Sequence, residues 1–174
     1  MGIGMNFVCT CCSYDSGILM LNQGTKIPLK SVIHKYIDIY TTETDLTMHP
    51  LREKHYRKML AQTLESSHRE MTYNYFACVC YSCNKTYEML DLLEEREEVY
   101  AGDRRRATTE MNPIQRMFSF PPQQWSSLLG EEELCLFCNQ ATEKITNENL
   151  ERGMECPKCR EGHLKVGDEF EIWD

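Results

Sequence analysis

Cysteines occur in this chain as spaced pairs, and that spacing constrains the fold more than any other feature. Cys135-Leu-Phe-Cys138 and Cys156-Pro-Lys-Cys159 are Cys-x-x-Cys half-sites with seventeen residues between them. Two intervening residues let both sulfurs of a half-site face one ion, so this pair of half-sites fits the corners of a single tetrahedral zinc. Upstream, Cys9-Thr-Cys11-Cys12 and Cys78-Val-Cys80-Tyr-Ser-Cys83 supply a second expected ligand set: Cys9, Cys12, Cys80 and Cys83. Cys11 and Cys78 are left over, either as small buried hydrophobes or as replacements for a neighbouring ligand. The expected fold class is α+β, built as two small zinc-stabilised modules with two structural Zn²⁺ ions.

Ten cysteines in 174 residues would also suit a disulfide scaffold. The opening Met-Gly-Ile-Gly-Met-Asn-Phe-Val-Cys has neither the basic start nor the apolar stretch of a secretory signal, so reduced thiols and a cytoplasmic location are expected. Apolar runs such as Ile18-Leu-Met-Leu21 fall far short of the roughly 20 residues of a membrane span. Met1-Gly2 suggests N-myristoylation, but the sixth position holds Asn6 where that pattern wants Ser or Thr. Modules shorter than about 80 residues bury too little apolar surface to be secure without a staple, and zinc is the staple available here.

The formal net charge is −8. Residues 1–70 carry eight Lys or Arg against seven Asp or Glu, whereas residues 71–174 carry eleven against twenty. A polyanion is held mainly by Lys and Arg that displace its counterions, so the acidic second half disfavours nucleic acid and favours a basic protein face. Arg104, Arg105 and Arg106 form the one concentrated basic run. With Phe118, Phe120 and Trp125 they are the candidate partner-binding residues.

Three segments are expected to be extended: Phe7-Val8, residues 17–24, and residues 71–81, which would carry Cys80 and Cys83 to the metal. Residues 31–42 are β-branched and aromatic yet also place apolar side chains on a helical face, and periodicity does not decide between the two. A helix is expected over about residues 47–66, with Thr47 as N-cap, Pro50 in the first turn and a stripe of Leu51, Tyr56, Met59, Leu60 and Leu64. A second, acidic helix is expected over 87–100. Residues 102–130 read as a linker with aromatic docking residues and a short helix at 123–130. The expected domains are thus an N-terminal knuckle module (1–101), that linker, and a C-terminal module (131–174).

Asn84 and Asn139 each follow the second cysteine of a half-site. A metal knuckle curls its amides toward sulfur and leaves with positive φ, a region that Gly and Asn enter cheaply. Tyr87 is expected to pack beside the metal.

Residues 132–174 resemble the zinc-ribbon family: Leu134-Cys-Leu-Phe-Cys-Asn139 and Glu155-Cys-Pro-Lys-Cys159 match its paired knuckles, and Lys165-Val and Phe170-Glu-Ile-Trp173 its strands. The resemblance covers a quarter of the chain and implies a structural metal on a small sheet, with no activity attached. A thioredoxin-like role for Cys156 and Cys159 lacks a βαβ setting. His68-Arg-Glu70 upstream of Cys80 is too close to it for the two half-motifs of a zinc deaminase. The expected function is therefore a noncatalytic, zinc-binding regulatory or inhibitory protein that contacts another protein, a profile that an immunity or counter-defence protein fits. The alternative is a transcription-associated zinc-ribbon protein touching RNA polymerase or nucleic acid.

Overall fold

The computed structural model describes residues 2–22, 28–43, 47–65, 71–95, 125–129 and 133–173. Its elements are β1 (Gly2–Cys9), β2 (Leu19–Asn22), α1 (Leu29–Asp38), α2 (Pro50–Glu65), β3 (Met71–Cys80), β4 (Lys85–Glu95), β5 (Trp125–Ser127), β6 (Glu143–Lys144), α3 (Asn147–Glu151) and β7 (Leu164–Trp173). The strands form two antiparallel sheets, ordered β2-β1-β7 and β5-β4-β3-β6. Among the described residues no helix is long and apolar enough to cross a membrane.

β3 is the wall shared by both halves of the core. From Tyr75 onward it is buried on both faces, and alternation sends its side chains two ways. Phe76, Cys78 and Cys80 join a cluster with α1, α2 and β4, whereas Ala77 and Val79 pack with Phe7, Leu19, Leu21, Ile145, Met154 and Leu164.

The ambiguous segment is helical. α1 buries Val32, Ile33, Tyr36 and Ile37, and a π-helical turn over Ile39–Glu43 extends it to the buried Tyr40. α2 begins at Pro50, whose missing N–H costs nothing at a first helical position. His49, rather than Thr47, caps it: its carbonyl accepts from the amides of Arg52 and Glu53, and its Nδ1 from that of Leu51. Tyr56, Met59 and Leu60 face the core, while Leu51 is exposed.

The helix expected over 87–100 is a correction. Residues 85–95 form β4, in continuous register with β3 from Met71↔Glu94 to Cys80↔Lys85, and residues 96–100 lie outside the described residues. Residues 89–93 are all buried. A strand covered on both faces reads as an apolar run, and an apolar run fits a helical period as well as a strand's. Hairpin pairing decides the outcome. β5 pairs only with Leu93, Glu94 and Glu95, and the hydroxyls of Tyr36 and Tyr56 donate to the carbonyls of Glu88 and Leu90 farther along β4.

The short helix expected over 123–130 is also corrected, since residues 125–127 are β5. The rest of the expected linker, including Arg104, Arg105, Arg106, Phe118 and Phe120, lies outside the described residues, as does His68. Each sheet takes strands from both ends of the chain: β7 pairs with β1 along most of its length, and β6 pairs with β3. Strands of the stretches 1–101 and 131–174 thus share both sheets.

Candidate metal centres

Four half-sites admit three pairings, and strand pairing selects one. Directly after Cys138 the chain forms β6, whose Glu143 and Lys144 pair with Val79 and Cys78. Cys135 and Cys138 are thereby set against Cys80 and Cys83. Soon after Cys159 it forms β7, whose Leu164 and Lys165 pair with Cys9 and Val8. The ligand sets expected from sequence are corrected accordingly: the quartets are Cys80, Cys83, Cys135 and Cys138, and Cys9, Cys12, Cys156 and Cys159. All eight expected cysteines fall in a quartet, with exchanged partners.

The separations suit a metal. Within each quartet the sulfurs all lie within 4.8 Å of one another. Cross pairs are 3.6 Å (Cys80–Cys138), 3.7 Å (Cys83–Cys135), 3.7 Å (Cys9–Cys159) and 3.9 Å (Cys12–Cys156). A tetrahedron with metal–sulfur bonds of about 2.3 Å has edges of about 3.8 Å, whereas a disulfide needs about 2.05 Å. The donor set therefore fits a tetrathiolate cation.

Backbone amides turn toward the sulfurs. Those of Cys11 and Cys12 donate to Cys9 Sγ at 3.2 and 3.3 Å, that of Cys83 to Cys80 Sγ at 3.4 Å, that of Phe137 to Cys135 Sγ at 3.4 Å, and that of Gly162 to Cys159 Sγ at 3.4 Å. Three half-sites then leave through positive φ: Asn84 at 56°, Asn139 at 57° and Arg160 at 62°. The two asparagines follow the sequence expectation, but Arg160 gave no such signal because its side chain pays the usual Cβ penalty there.

These donors set the acidities. Amides hold Cys159 down at about 6, chiefly those of Gly162 and Glu161, and that of Cys12 lowers Cys9. Burial raises Cys135, but the amides of Cys138 and Phe137 together with hydrogen bonds from Tyr87 and Cys80 leave that thiol lowered. Burial pushes Cys12 to about 12 and Cys80 to about 11, and raises Cys83 and Cys156. A cation entering either quartet must displace protons from these four thiols.

Gly162 is a residue that cysteine spacing does not single out. A Cβ there would lie 2.5 Å from Cys11 Cβ and 2.6 Å from Cys9 Sγ, so only glycine allows this approach to the quartet. Of the two leftover cysteines, Cys78 is wholly buried and Cys11 is exposed; neither belongs to a quartet. Tyr87 packs against the Cys135–Cys138 half-site. Its ring meets Phe137 at 5.1 Å and its hydroxyl accepts from the amide of Leu136.

The quartets are stitched together. Arg160 lies over the Tyr81 ring at 4.4 Å and donates to the Tyr81 carbonyl. With its side-chain amide assigned so that the nitrogen faces the two acceptors, Asn84 donates to the carbonyls of Tyr81 and Pro157 at 3.0 and 2.9 Å. The Tyr14 hydroxyl meets Thr86 Oγ1 at 2.8 Å. No family model, curated protein or solved structure matches this chain.

Proposed function

We propose that each quartet holds Zn²⁺ as a closed tetrathiolate and that the protein is a noncatalytic regulatory or inhibitory factor acting through contact with another protein. One observation carries this reading: two complete four-cysteine sets, each drawn from distant parts of the chain. Four thiolates fill a tetrahedral zinc and leave no position for substrate or activated water, so such a metal builds shape. The C-terminal half-sites then belong to a ribbon-like scaffold completed by N-terminal knuckles. The net charge of −8 supports a basic protein face as the partner over nucleic acid.

X-ray absorption and metal analysis of protein prepared without chelator test the metal assignment. Two zincs per chain are expected, each with four sulfurs at about 2.3 Å. An oxygen ligand in either shell would reverse the reading towards an open, reactive site. The contact assignment predicts a stoichiometric protein complex that dissociates when zinc is chelated. A DNA or RNA complex whose affinity falls steeply with salt would instead support the transcription-associated alternative.

A further inference from the structure

β7 is an edge strand: in the order β2-β1-β7 its second edge has no strand partner among the described residues. It also carries three of the exposed large apolar side chains, Val166, Phe170 and Ile172, the last two 62 % and 56 % exposed. Acidic residues and a register irregularity partly blunt this edge, while its large apolar side chains stay exposed and offer a contact surface.

Register sorts the strand into two chemically different faces. Phe170 and Ile172 sit directly opposite Met5 and Ile3, which are only partly buried, giving an apolar strip across β1 and β7. On the other face Glu171 opposes Gly4, which contributes no side chain. Asp168, Glu169 and Glu171 are exposed, and no ion pair involves them among the described residues. Glu169 turns its amide inward to Asn6 Oδ1 at 3.2 Å, within the register irregularity opposite Met5–Phe7.

We propose that the open edge of β7 accepts an extended segment of a partner protein in which aliphatic residues alternate with Lys or Arg. Added as a fourth strand, such a segment sets its aliphatic side chains beside Phe170 and Ile172 and its cations beside Glu169 and Glu171, while its backbone pairs with the free edge. A second copy of β7 in that place would bring its own Glu169 and Glu171 against the first set, and like charges on adjacent strands repel. The inference rests on the protein-contact reading above and names the chemistry of the partner.

The test uses the full zinc-loaded chain and a fluorescein-labelled peptide of Lys-Val repeats. Controls are the same residues in two blocks, a Glu-Val repeat, and a Lys-Val repeat N-methylated on the residues that would pair. The alternating Lys-Val peptide is expected to bind at micromolar concentration, and each control about tenfold or more weaker. Phe170→Ala with Ile172→Ala should weaken binding about tenfold with zinc content unchanged, since both side chains are over half exposed. Glu169→Lys with Glu171→Lys should switch the preference to the Glu-Val peptide.

Equal binding of the alternating and block peptides would reduce the effect to bulk charge and overturn the proposal. So would a dimer, seen by sedimentation, that the Phe170→Ala and Ile172→Ala pair dissolves. If the Lys-Val peptide fails to bind while the zinc-loaded chain still forms a stoichiometric protein complex, the edge is the wrong surface and the protein-contact reading stands. That reading falls only with the metal analysis or the nucleic-acid titration.

Discussion

The two quartets share one chemistry and differ in what surrounds them. Cys80 and Cys83 lie at the turn of the continuous β3–β4 hairpin, and the partners Cys135 and Cys138 are covered by Tyr40, Tyr87 and Phe137, with ring centroids 5.1 and 5.7 Å apart. Its spare cysteine, Cys78, is sealed in the core. The quartet of Cys9, Cys12, Cys156 and Cys159 instead joins the first and last strands, and its spare cysteine, Cys11, faces solvent. One set of four cysteines thus sits at a hairpin turn in the larger core cluster and the other sits in the second cluster between the first and last strands, because neighbouring strands set the placement.

Complete metal removal should have the largest effect. A structural tetrathiolate zinc contributes roughly 10 to 16 kcal/mol at neutral pH, more than a small domain's whole stability. Loss of near-ultraviolet circular dichroism on chelation is the readout. Single ligand losses should then separate the sites. Cys80→Ser is expected to expose amides throughout α1, α2, β3 and β4 to hydrogen exchange, whereas Cys156→Ser should release β1 and β7 while the β3–β4 hairpin stays protected. Identical exchange maps would break the comparison and make the two sites one cooperative unit.

Gly162→Ala acts on the terminal quartet alone, because the added methyl meets Cys9 Sγ and Cys11 Cβ. Competition with a chromophoric chelator should show zinc affinity there about 10- to 100-fold weaker, the range for damage to a metal's support, with the other site unchanged. Protons give a further contrast. Cys12 and Cys80, held near 12 and 11, are protonated at neutral pH, so zinc uptake must release protons and affinity must rise with pH at both sites. Uptake measured in two weakly buffered indicator solutions would show it.

Tyr87→Phe should cost about 1 to 3 kcal/mol in denaturant unfolding, since it leaves the Leu136 amide buried without its acceptor. Cys11→Ser should change least, keeping two zincs per chain, as Cys11 lies outside both quartets.

Local rules carried the sequence reading where the cause is local. The spacing of each half-site follows from one turn of backbone, and Asn84 and Asn139 announce the positive φ that ends it. The buried stripe of Tyr56, Met59 and Leu60 follows from helical periodicity. The reading failed where the cause is remote. Met89, Leu90, Leu92 and Leu93 are equally apolar in a helix or in a strand covered on both sides, and only the presence of β3 alongside makes β4 a strand. Arg160 adopts positive φ without any residue-type signal, held by Tyr81 from another half-site.

The sequence by itself determined that four Cys-x-x-Cys half-sites can each turn two sulfurs toward a cation, because such a turn is formed within four residues, and it left open whether Cys11 or Cys78 replaces a neighbour. It did not determine which half-sites meet. That choice belongs to the tertiary structure, where β6 on β3 and β7 on β1 carry each C-terminal half-site to an N-terminal one. Strand pairing acts between residues far apart in the chain, and no local spacing encodes it.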